Sequence, residues 1–344
     1  MNTKPCIPTL SDVAKAAGVS TATVSRCLNE NQKVSAKTVE MVMKAVEELG
    51  YTPNYHARAM AAKQSHTVGA IIPTMENAIF ARGLQAFQET LFEQKYNLLV
   101  SSSAYQPKRE AQQIRELVAR GADGLLLIGF ERDEAIYDFL AQRDIPVVLA
   151  WASRQNSDLA YVGFDNRAAM RMLTDKVIEM GHRQIGIISG ITEGNDRAAE
   201  RLAGIKDSWQ AHGGSLDELA IVQTPYDTEN GGVALKQLVQ ATPRPSVIIC
   251  GNDVLATGAI SKARDLGIKV PDDISITGFD DIELAKHVSP ALTTVHVPHR
   301  QMGHIAAKSL INLIEKKGEK AFHQLDVFIE MRASLKRIST PGAN

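Results

Sequence analysis

The 344-residue sequence has few cysteines, few aromatic residues and no long apolar run. Its three cysteines, Cys6, Cys27 and Cys250, are too few and too far apart for a disulfide framework or a Cys-x-x-Cys metal site, so we expect a reducing compartment. Apolar runs such as residues 68–72 are much shorter than a membrane span, and the first thirty residues contain no apolar targeting segment. These absences predict a cytoplasmic protein without a membrane partner.

The sequence also lacks a large net charge, because 38 Lys and Arg residues face 39 Asp and Glu residues. The balance is uneven along the chain: residues 1–66 carry eight basic and five acidic side chains, and the remainder carries 30 and 34. The N-terminal segment can therefore face a polyanion. With 44% hydrophobic and 22% charged residues, the composition excludes whole-chain disorder, and the length predicts two or three domains.

The first thirty residues have the pattern of two short helices. Thr9 and Asp12 have the spacing of a capping box, so a helix is expected to begin after Thr9 and to end at Gly18. Ser20 can cap a second helix over residues 21–29. Two short helices joined by a turn that contains glycine are the helix-turn-helix plan, whose second helix lies in the DNA major groove. A generic helical hairpin is the alternative that spacing alone leaves open.

The second helix is expected to bury Val24 and Leu28 and to expose Thr21, Ala22, Ser25 and Arg26. A third helix is expected to begin at a Ser35 cap and to end at Gly50, and its predicted inner residues are Val39, Val42, Val46 and Leu49. The next stretch, residues 55–62, is too short to form a helix by itself in water. We expect it to become ordered when DNA and a second copy of the chain are present.

From Thr67 onward, short apolar runs alternate with amphipathic stretches. The predicted strands are 68–72, 97–101, 124–128, 185–189, 221–223, 247–250 and 274–277. The predicted helices of the first half are 81–94, 109–120 and 134–143. This alternation predicts two α/β halves, each with a parallel sheet covered by helices on both faces.

Polar and aromatic residues follow several of these strands, at the sheet edge where open α/β sheets bind ligands. The candidates for a binding site are Phe80, Trp151, Arg197, Arg201, Asn252 and Asp280. Taken singly, each charged residue is more simply explained as a helix cap or a solvated loop charge. Together, carboxylate and amide acceptors, arginines and flat apolar faces are typical of a site for a ligand rich in hydroxyl groups. The combination indicates a sugar-like ligand.

Five motifs give the chain its resemblance to the lactose/galactose repressor family of bacterial transcription regulators. They are TLSDVAKAAGVSTATVSRCLN, ELGYTPNYHARAMA, RLAGI, CGNDVLATGA and VPDDISITGFDDIELAKHVSPALTTVHVP. The resemblance implies an α/β chain with an N-terminal all-α helix-turn-helix domain (1–52), a hinge helix and linker (53–66) and a periplasmic-binding-protein-like core of two doubly wound parallel-sheet subdomains (67–340). The implied subdomains are 67–164 with 295–324, and 165–294 with 325–340.

The same resemblance implies a repressor that binds a pseudo-palindromic DNA operator as a homodimer. Its core would close on a small effector, a sugar or sugar acid, without cofactor or metal, and the protein would lie on the nucleoid when bound to its operator. The residues whose positions match the family's DNA-binding segments are Thr9, Ser20, Thr21, Ala22, Thr23, Ser25, Arg26, Asn29, Asn54, Tyr55, Ala57, Arg58 and Met60. Met60 stands where the family usually has a leucine that wedges into a minor-groove step.

In the core, Arg201, Asn252 and Asp280 match positions that hold effector polar groups, and Phe80, Trp151 and Arg197 match pocket-lining positions. Ala150 replaces an aspartate present in several members, so the effector differs from theirs or is bound differently. The apolar residues of 298–314 match a helix at the dimer interface, and from pattern alone an ordinary amphipathic core helix fits them equally well. The tail after Leu335 has no leucine heptads, which favours a dimer over a coiled-coil tetramer.

Two other classes compete with a regulator. An enzyme is disfavoured because the chain has no G-x-G-x-x-G, no P-loop and no G-x-S-x-G motif, and because His296, His299 and His304 match no zinc spacing. A periplasmic sugar-binding protein would have a similar core. The basic helical head and the missing signal peptide argue against it.

Overall fold

The computed structural model describes residues 7–29, 34–52, 64–76 and 78–338, with the backbone alone given for Asn29. The chain divides into two compact units, Met1–Ser65 and His66–Asn344. We call them the head and the core unit.

The described residues of the head form the helices α1 (Leu10–Ala17), α2 (Thr21–Asn29) and α3 (Ala36–Leu49). The predicted capping box is confirmed at α1, where Asp12 N donates to the Thr9 hydroxyl and Thr9 N donates to the Asp12 carboxylate. Gly18 ends α1 with a φ of 66°, a left-handed conformation that glycine adopts without strain. The buried residues of the three helices, which form one small core, are Val13, Ala14, Val24, Cys27, Val42 and Ala45.

One core prediction in the head is wrong. Leu49 was expected to be buried, but it is 38% exposed, whereas Val39 and Val46 pack partly buried against the head core. Leu49 lies in the last turn of α3, and Val46 and Tyr51 on either side of it pack against the head core instead.

The core unit begins with a six-stranded parallel sheet in the order β11-β5-β4-β3-β1-β2. The strands are β1 (Thr67–Ile72), β2 (Asn97–Ser102), β3 (Gly124–Ile128), β4 (Val147–Ala150), β5 (Tyr161–Gly163) and β11 (Phe322–Gln324). Its helices are α4 (Ala81–Glu93), α5 (Pro107–Ala119), α6 (Glu134–Ala141) and α12 (His299–Ile314). Helices α4 and α12 pack on one face and α5 and α6 on the other.

A second parallel sheet has the order β7-β6-β8-β9. Its strands are β6 (Ile185–Gly190), β7 (Ala220–Thr224), β8 (Val247–Cys250) and β9 (Ser275–Thr277). Around it lie α7 (Asn166–Glu179), α8 (Asp196–Ala211), α9 (Thr228–Leu238), α10 (Asp253–Asp265) and the short α11 (Glu283–His287), with a 3-10 turn at Leu216–Glu218. The predicted alternation and the α/β fold class are confirmed, with strand ends shifted by one residue at most.

An antiparallel pair, β10 (Thr294–His296) and β12 (Phe328–Glu330), lies where the chain passes between the two sheets. The chain makes three such passages, after β5, between β10 and α12, and between β11 and β12. Each sheet with its helices is therefore a subdomain, which we call the six-strand and the four-strand subdomain, and the three passages join them.

The apolar stripe of α12 belongs to the core. Met302, Ala306 and Leu310 are buried within the chain, where α12 packs closely on α4. The two helices approach so closely that a side-chain carbon on Gly303 would collide with the carbonyl oxygen of Gly83. These buried residues therefore support the amphipathic core helix, the second of the two interpretations of this stripe. No helix within the described part of the chain has the length and apolar character needed to cross a membrane.

Candidate functional site

The six residues predicted at strand ends line one cavity between the two sheets. Ten residues line this pocket: Ile79, Phe80, Tyr105, Trp151, Asn195, Arg197, Arg201, Tyr226, Asn252 and Asp280. They follow the carboxyl ends of strands from both sheets, the place where open α/β sheets bind ligands. The free space among them, including its opening, is about 300 Å³. The pocket is therefore built jointly by the two subdomains.

Arg201 is fixed on one wall of the pocket by partners on all three of its nitrogens. Its Nε donates to Asn166 Oδ1 (2.8 Å), its Nη1 to the Gly251 carbonyl (2.8 Å) and its Nη2 to Asp280 Oδ1 (3.3 Å). The guanidinium also lies over the Phe279 ring, 3.8 Å from its centroid. A buried, stacked and hydrogen-bonded guanidinium is pre-organised to hold a polar ligand.

Asn252 and Asp280 each bring to the pocket a buried polar atom that has no hydrogen-bond partner among the described residues. Asn252 Oδ1 accepts from Leu255 N at the start of α10 (2.9 Å), and its Nδ2 donor is unpaired. Asp280 Oδ1 accepts from Arg201, and its Oδ2 acceptor is unpaired. Since buried polar atoms in native proteins are nearly always paired, these two atoms indicate a missing partner in the cavity.

Burial raises the pKa of Asp280 to about 6, although the neighbouring Arg201 guanidinium acts to lower it. Asp280 also has a φ of 107°, a strained backbone conformation for a residue other than glycine. Strained residues cluster at ligand-binding sites, and the strain is held by the surrounding structure.

Arg197 connects the two subdomains at the rim of the pocket. Its Nη1 donates to the Ile128 carbonyl at the end of β3 (3.1 Å) and to Asp196 Oδ1 (2.8 Å). Asp196 in turn accepts from Phe130 N, and the chain turns at Gly129 with a φ of 74° to make room for this contact. The positive charge of Arg197 is thus partly neutralised by its neighbour.

Aromatic rings form the apolar walls. Phe80 and Trp151 meet edge to face with their centroids 5.3 Å apart, and Tyr105 and Tyr226 lie 5.8 Å apart. Burial raises the pKa of both tyrosines, so their phenols stay neutral at physiological pH. Flat apolar rings beside a few polar atoms are typical of small-molecule pockets.

Sequence reasoning missed several residues at this site. Tyr105, Asn195 and Tyr226 follow β2, β6 and β7, so the rule that found the other candidates also applies to them. His299 and Asn166 do not line the pocket but hydrogen-bond to Trp151, which does. The sequence gives no signal for these two, because their partners lie on other elements.

In the head, the predicted DNA-binding residues lie on and around α2. Thr21, Ala22 and Arg26 are exposed, and Thr23 and Ser25 are half-buried. Within the chain, the Arg26 Nε donates to the Ala22 carbonyl (3.3 Å). No acidic residue lies in the first turn of α2. The helix therefore offers hydroxyl groups and one cation on its outer side, and no carboxylate at its start.

Two predicted residues have structural roles that the head itself requires. Thr9 is exposed and its side chain belongs to the α1 capping box. Ser20 accepts from Thr23 N (3.2 Å) at the start of α2. The predicted residues Asn54, Tyr55, Ala57, Arg58 and Met60, and the side chain of Asn29, lie outside the described residues.

The histidines of residues 296–304 have separate partners. His296 Nδ1 lies 2.8 Å from the Asp281 carboxylate, His299 bonds Trp151, and His304 Nδ1 lies 2.8 Å from the Thr90 hydroxyl. The described residues contain no group of three His, Cys, Asp or Glu side chains placed to hold a metal ion.

Comparisons with known proteins agree with this architecture. Residues 9–54 match the family described as bacterial regulatory proteins, lacI family, and residues 174–335 match a periplasmic binding protein-like domain. The HTH-type transcriptional repressor PurR of Klebsiella pneumoniae (strain 342) is 33% identical over 91% of this chain and 92% of its own.

Solved structures of transcription regulators are also similar to this chain. The lac repressor dimer bound to operator and the anti-inducer ONPF is 26% identical, with a TM-score of 0.85 over 96% of this chain and 100% of that one. The transcriptional regulator CelR in complex with cellobiose is 27% identical, with a TM-score of 0.70 over 95% of this chain and 99% of that one. The helical head and the two parallel-sheet subdomains thus match known regulators over nearly the whole chain.

Proposed function

The chain belongs to the LacI family of bacterial regulators, and from that premise we propose that two copies of it bind a pseudo-palindromic operator under the control of a sugar-sized effector. As a member of this family it is a DNA-binding transcriptional repressor with a ligand-binding domain, and it is not an enzyme. The proposal concerns the effector, the residues that contact it and the DNA, and the pairing of the chains.

The observation that carries the effector proposal is the pair of unpaired atoms in the pocket. Asn252 Nδ2 is a donor and Asp280 Oδ2 is an acceptor, and both are buried. A hydroxyl group both donates and accepts, so neighbouring hydroxyls on one ligand satisfy both atoms. A ligand without them leaves buried polar groups unpaired, which costs about 1 to 3 kcal/mol for each group.

The size of the pocket further defines the effector. Its free space is small, about 300 Å³ even when the solvent at its opening is included. This favours a monosaccharide or a sugar acid over a larger sugar. The flat faces of Phe80 and Trp151 can cover the apolar face of a sugar ring. The similarity to a regulator solved with cellobiose supports a carbohydrate in this pocket.

For DNA binding we assign base contacts to the exposed side of α2. Thr21 and Ala22 lie at its start, the end of a recognition helix that meets base edges, and Arg26, about one turn later, would bind a guanine. Asn29, with Thr9, Ser20, Thr23 and Ser25, would contact the backbone around them. In the predicted hinge helix and linker (53–66), Asn54, Tyr55, Ala57 and Arg58 would contact the minor groove, with Met60 as a wedge.

We further propose that the chain pairs through the β2 edge of the six-stranded sheet. Leu99 and Val100 on this edge strand are 41% and 36% exposed, and Phe92 at the end of the adjacent α4 is 79% exposed. An exposed apolar sheet edge is a site for association with another chain. The proposed domains are residues 1–52, 53–66 and 67–340, with the subdomains given above.

The test has two arms that use the full chain. In the first, a random-sequence duplex pool is incubated with the protein at a fixed salt concentration, and the bound fraction is sequenced. A palindromic sequence with two half-sites is the expected result, and the absence of enrichment, with and without a sugar mixture, would contradict the DNA proposal.

In the second arm, thermal unfolding of the protein is measured with a panel of monosaccharides and sugar acids. Nucleobases, which are flat and carry no sugar hydroxyl groups, are the comparison ligands. We expect one or more panel sugars to raise the unfolding temperature and Arg201→Ala to abolish the rise. Stabilisation by a nucleobase and by no sugar would contradict the sugar assignment.

A further inference from the structure

A closed ring of hydrogen bonds passes beneath the pocket. Trp151 Nε1 donates to His299 Nδ1 (3.1 Å), and His299 Nε2 donates to the Asp280 carbonyl (3.0 Å). On the other side, Asn166 Nδ2 donates to the Trp151 carbonyl (2.9 Å), and Asn166 Oδ1 accepts from Arg201 Nε (2.8 Å). The Arg201 to Asp280 ion pair (3.3 Å) closes the ring.

The ring joins the two subdomains. Trp151 follows β4 and His299 is the first residue of α12, so both belong to the six-strand subdomain. Asn166 is the first residue of α7, Arg201 lies on α8 and Asp280 follows β9, so these three belong to the four-strand subdomain. The bond from His299 to Asp280 and the bond from Asn166 to Trp151 are therefore the two that cross between them.

His299 is chemically suited to this position. The indole N–H of Trp151 can only donate and the Asp280 carbonyl can only accept, so the imidazole must carry its proton on Nε2 and accept at Nδ1. Burial lowers the pKa of His299 to about 4, which keeps the ring neutral at physiological pH. A charged imidazolium would lose the acceptor that Trp151 needs.

The backbone gives an independent reason to assign a role to His299. Both of its partners have positive φ, 62° at Trp151 and 107° at Asp280. Side chains other than glycine rarely adopt such conformations, and they persist where the surrounding structure holds them. His299 bonds the indole of Trp151 and the backbone carbonyl of Asp280. It therefore links the two strained positions that face the ligand.

We propose that His299 is a positioning residue for the effector, which holds the Trp151 wall and the Asp280 carboxylate in register across the two subdomains without itself lining the pocket. The effector part of this inference rests on the proposed function. The part that concerns Trp151 does not, because it can be tested without a ligand.

The variants are made in a Trp209→Phe background, so that Trp151 is the remaining tryptophan. His299→Phe keeps an aromatic ring and removes both hydrogen bonds, whereas His299→Gln keeps one donor and one acceptor. His182→Phe is the matched control, because His182 is buried and also has two partners, the Ser246 hydroxyl (2.9 Å) and the Lys336 carbonyl (3.0 Å), outside the pocket. Circular dichroism verifies that each variant folds, and His299→Asn replaces His299→Phe if that variant does not.

The first measurement is acrylamide quenching and the emission maximum of Trp151 without ligand. Trp151 is 2% exposed in the intact chain, so we expect the parent and His182→Phe to be protected. We expect His299→Phe to shift the emission to the red and to increase quenching, and His299→Gln to lie between the two. Equal quenching in the parent and His299→Phe would overturn the proposal, as would an equal increase in His182→Phe.

The second measurement is calorimetric titration of each variant with the monosaccharide that stabilises the parent most in the panel above. We expect His299→Phe to lose about 10-fold in affinity, equal to about 1.4 kcal/mol, and His182→Phe to bind as the parent does. Parental affinity in His299→Phe would overturn the positioning role. If no panel sugar binds the parent, the sugar assignment fails, and the quenching result alone then decides whether His299 positions Trp151.

Discussion

Asp280 lines the pocket with a buried carboxylate whose pKa is raised to about 6 by burial, against the lowering effect of Arg201. A ligand hydroxyl that donates to Oδ2 favours the ionised form, so the bound state has a lower pKa than the free state. Affinity for the panel sugar should therefore rise as the pH rises through about 6 and level off above it. Calorimetric titration from one unit below this pKa to one unit above it measures the change.

Asp280→Asn is the control for this pH dependence, because the amide does not titrate. We expect the variant to bind the sugar more weakly and with a flat profile around the same pH. A parent whose affinity is constant or falls across this interval would contradict the assignment of Oδ2 as the acceptor.

Asn252 combines a helix cap with a proposed ligand donor, and a serine separates the two roles. Asn252→Ser keeps a side-chain oxygen to cap α10 and removes the unpaired Nδ2. We expect the free energy of unfolding to fall by less than about 1 kcal/mol, as it should for Asp227→Ser at the cap of α9 outside the pocket. Sugar affinity should fall about 10-fold in Asn252→Ser alone. Equal sugar affinity in both variants would show that Nδ2 does not meet the ligand.

Arg26 is the residue of α2 best placed to read a base by a bidentate contact, because it is exposed and bonds only weakly back to Ala22 at 3.3 Å. Arg26→Ala should lose about 1 to 3 kcal/mol of discrimination at one base pair of each half-site. Lys15→Ala removes the same charge from α1 and should leave base preference unchanged. The measurement is selection from the random duplex pool with each variant. Equal losses on every sequence for both variants would place Arg26 on the phosphate backbone.

At the scale of elements, the edge strand β2 supports a prediction about assembly. Leu99→Lys adds a charge to the exposed apolar edge, so the protein should sediment as a monomer where the parent sediments as a dimer. Phe322→Lys is the matched control, because Phe322 is also half-exposed and lies on β11 at the opposite edge of the same sheet. A dimer that persists in Leu99→Lys and dissociates in Phe322→Lys would move the interface to the other edge.

The elements also show how far sequence reasoning extends. The capping box of α1 and the apolar runs of β3 and β8 are local signals, and these elements begin and end where they were expected. Strands β5, β10, β11 and β12 have three residues each, which is too few for an apolar period to be visible, whereas the equally short β9 was predicted because an apolar run follows a helix there. The apolar stripe of α12 is ambiguous in the sequence, because a core helix and an interface helix have the same apolar period. The burial of its residues within the chain identifies it as a core helix.

In the candidate site, too, some residues could be predicted from local sequence signals and others could not. The strand-end rule was sufficient to bring Arg201, Asn252 and Asp280 into one cavity, because topology places the carboxyl ends of parallel strands together. His299 and Asn166 required the three-dimensional structure. Their roles depend on partners that lie more than ten residues away in the chain and on the opposite subdomain.

At the scale of the whole molecule, the pocket lies between two subdomains that three chain passages connect, and its polar atoms come from both. A ligand that bonds both subdomains favours the arrangement in which they are close, and it can shift an equilibrium only by its difference in affinity for the two states. Under the proposed function, the coupling between pocket and operator must be reciprocal: the operator would change sugar affinity by the same factor by which the sugar changes operator affinity.

The measurement that tests this account most directly is a pair of titrations on the full chain, operator binding with and without saturating sugar and sugar binding with and without saturating operator. The operator is the palindrome recovered from the random pool, and the sugar is the panel member that stabilises the chain most. We expect both affinities to change by one common factor of about 5 to 150. Operator binding that is unchanged by a sugar bound in the pocket would contradict the claim that this protein is an effector-controlled regulator.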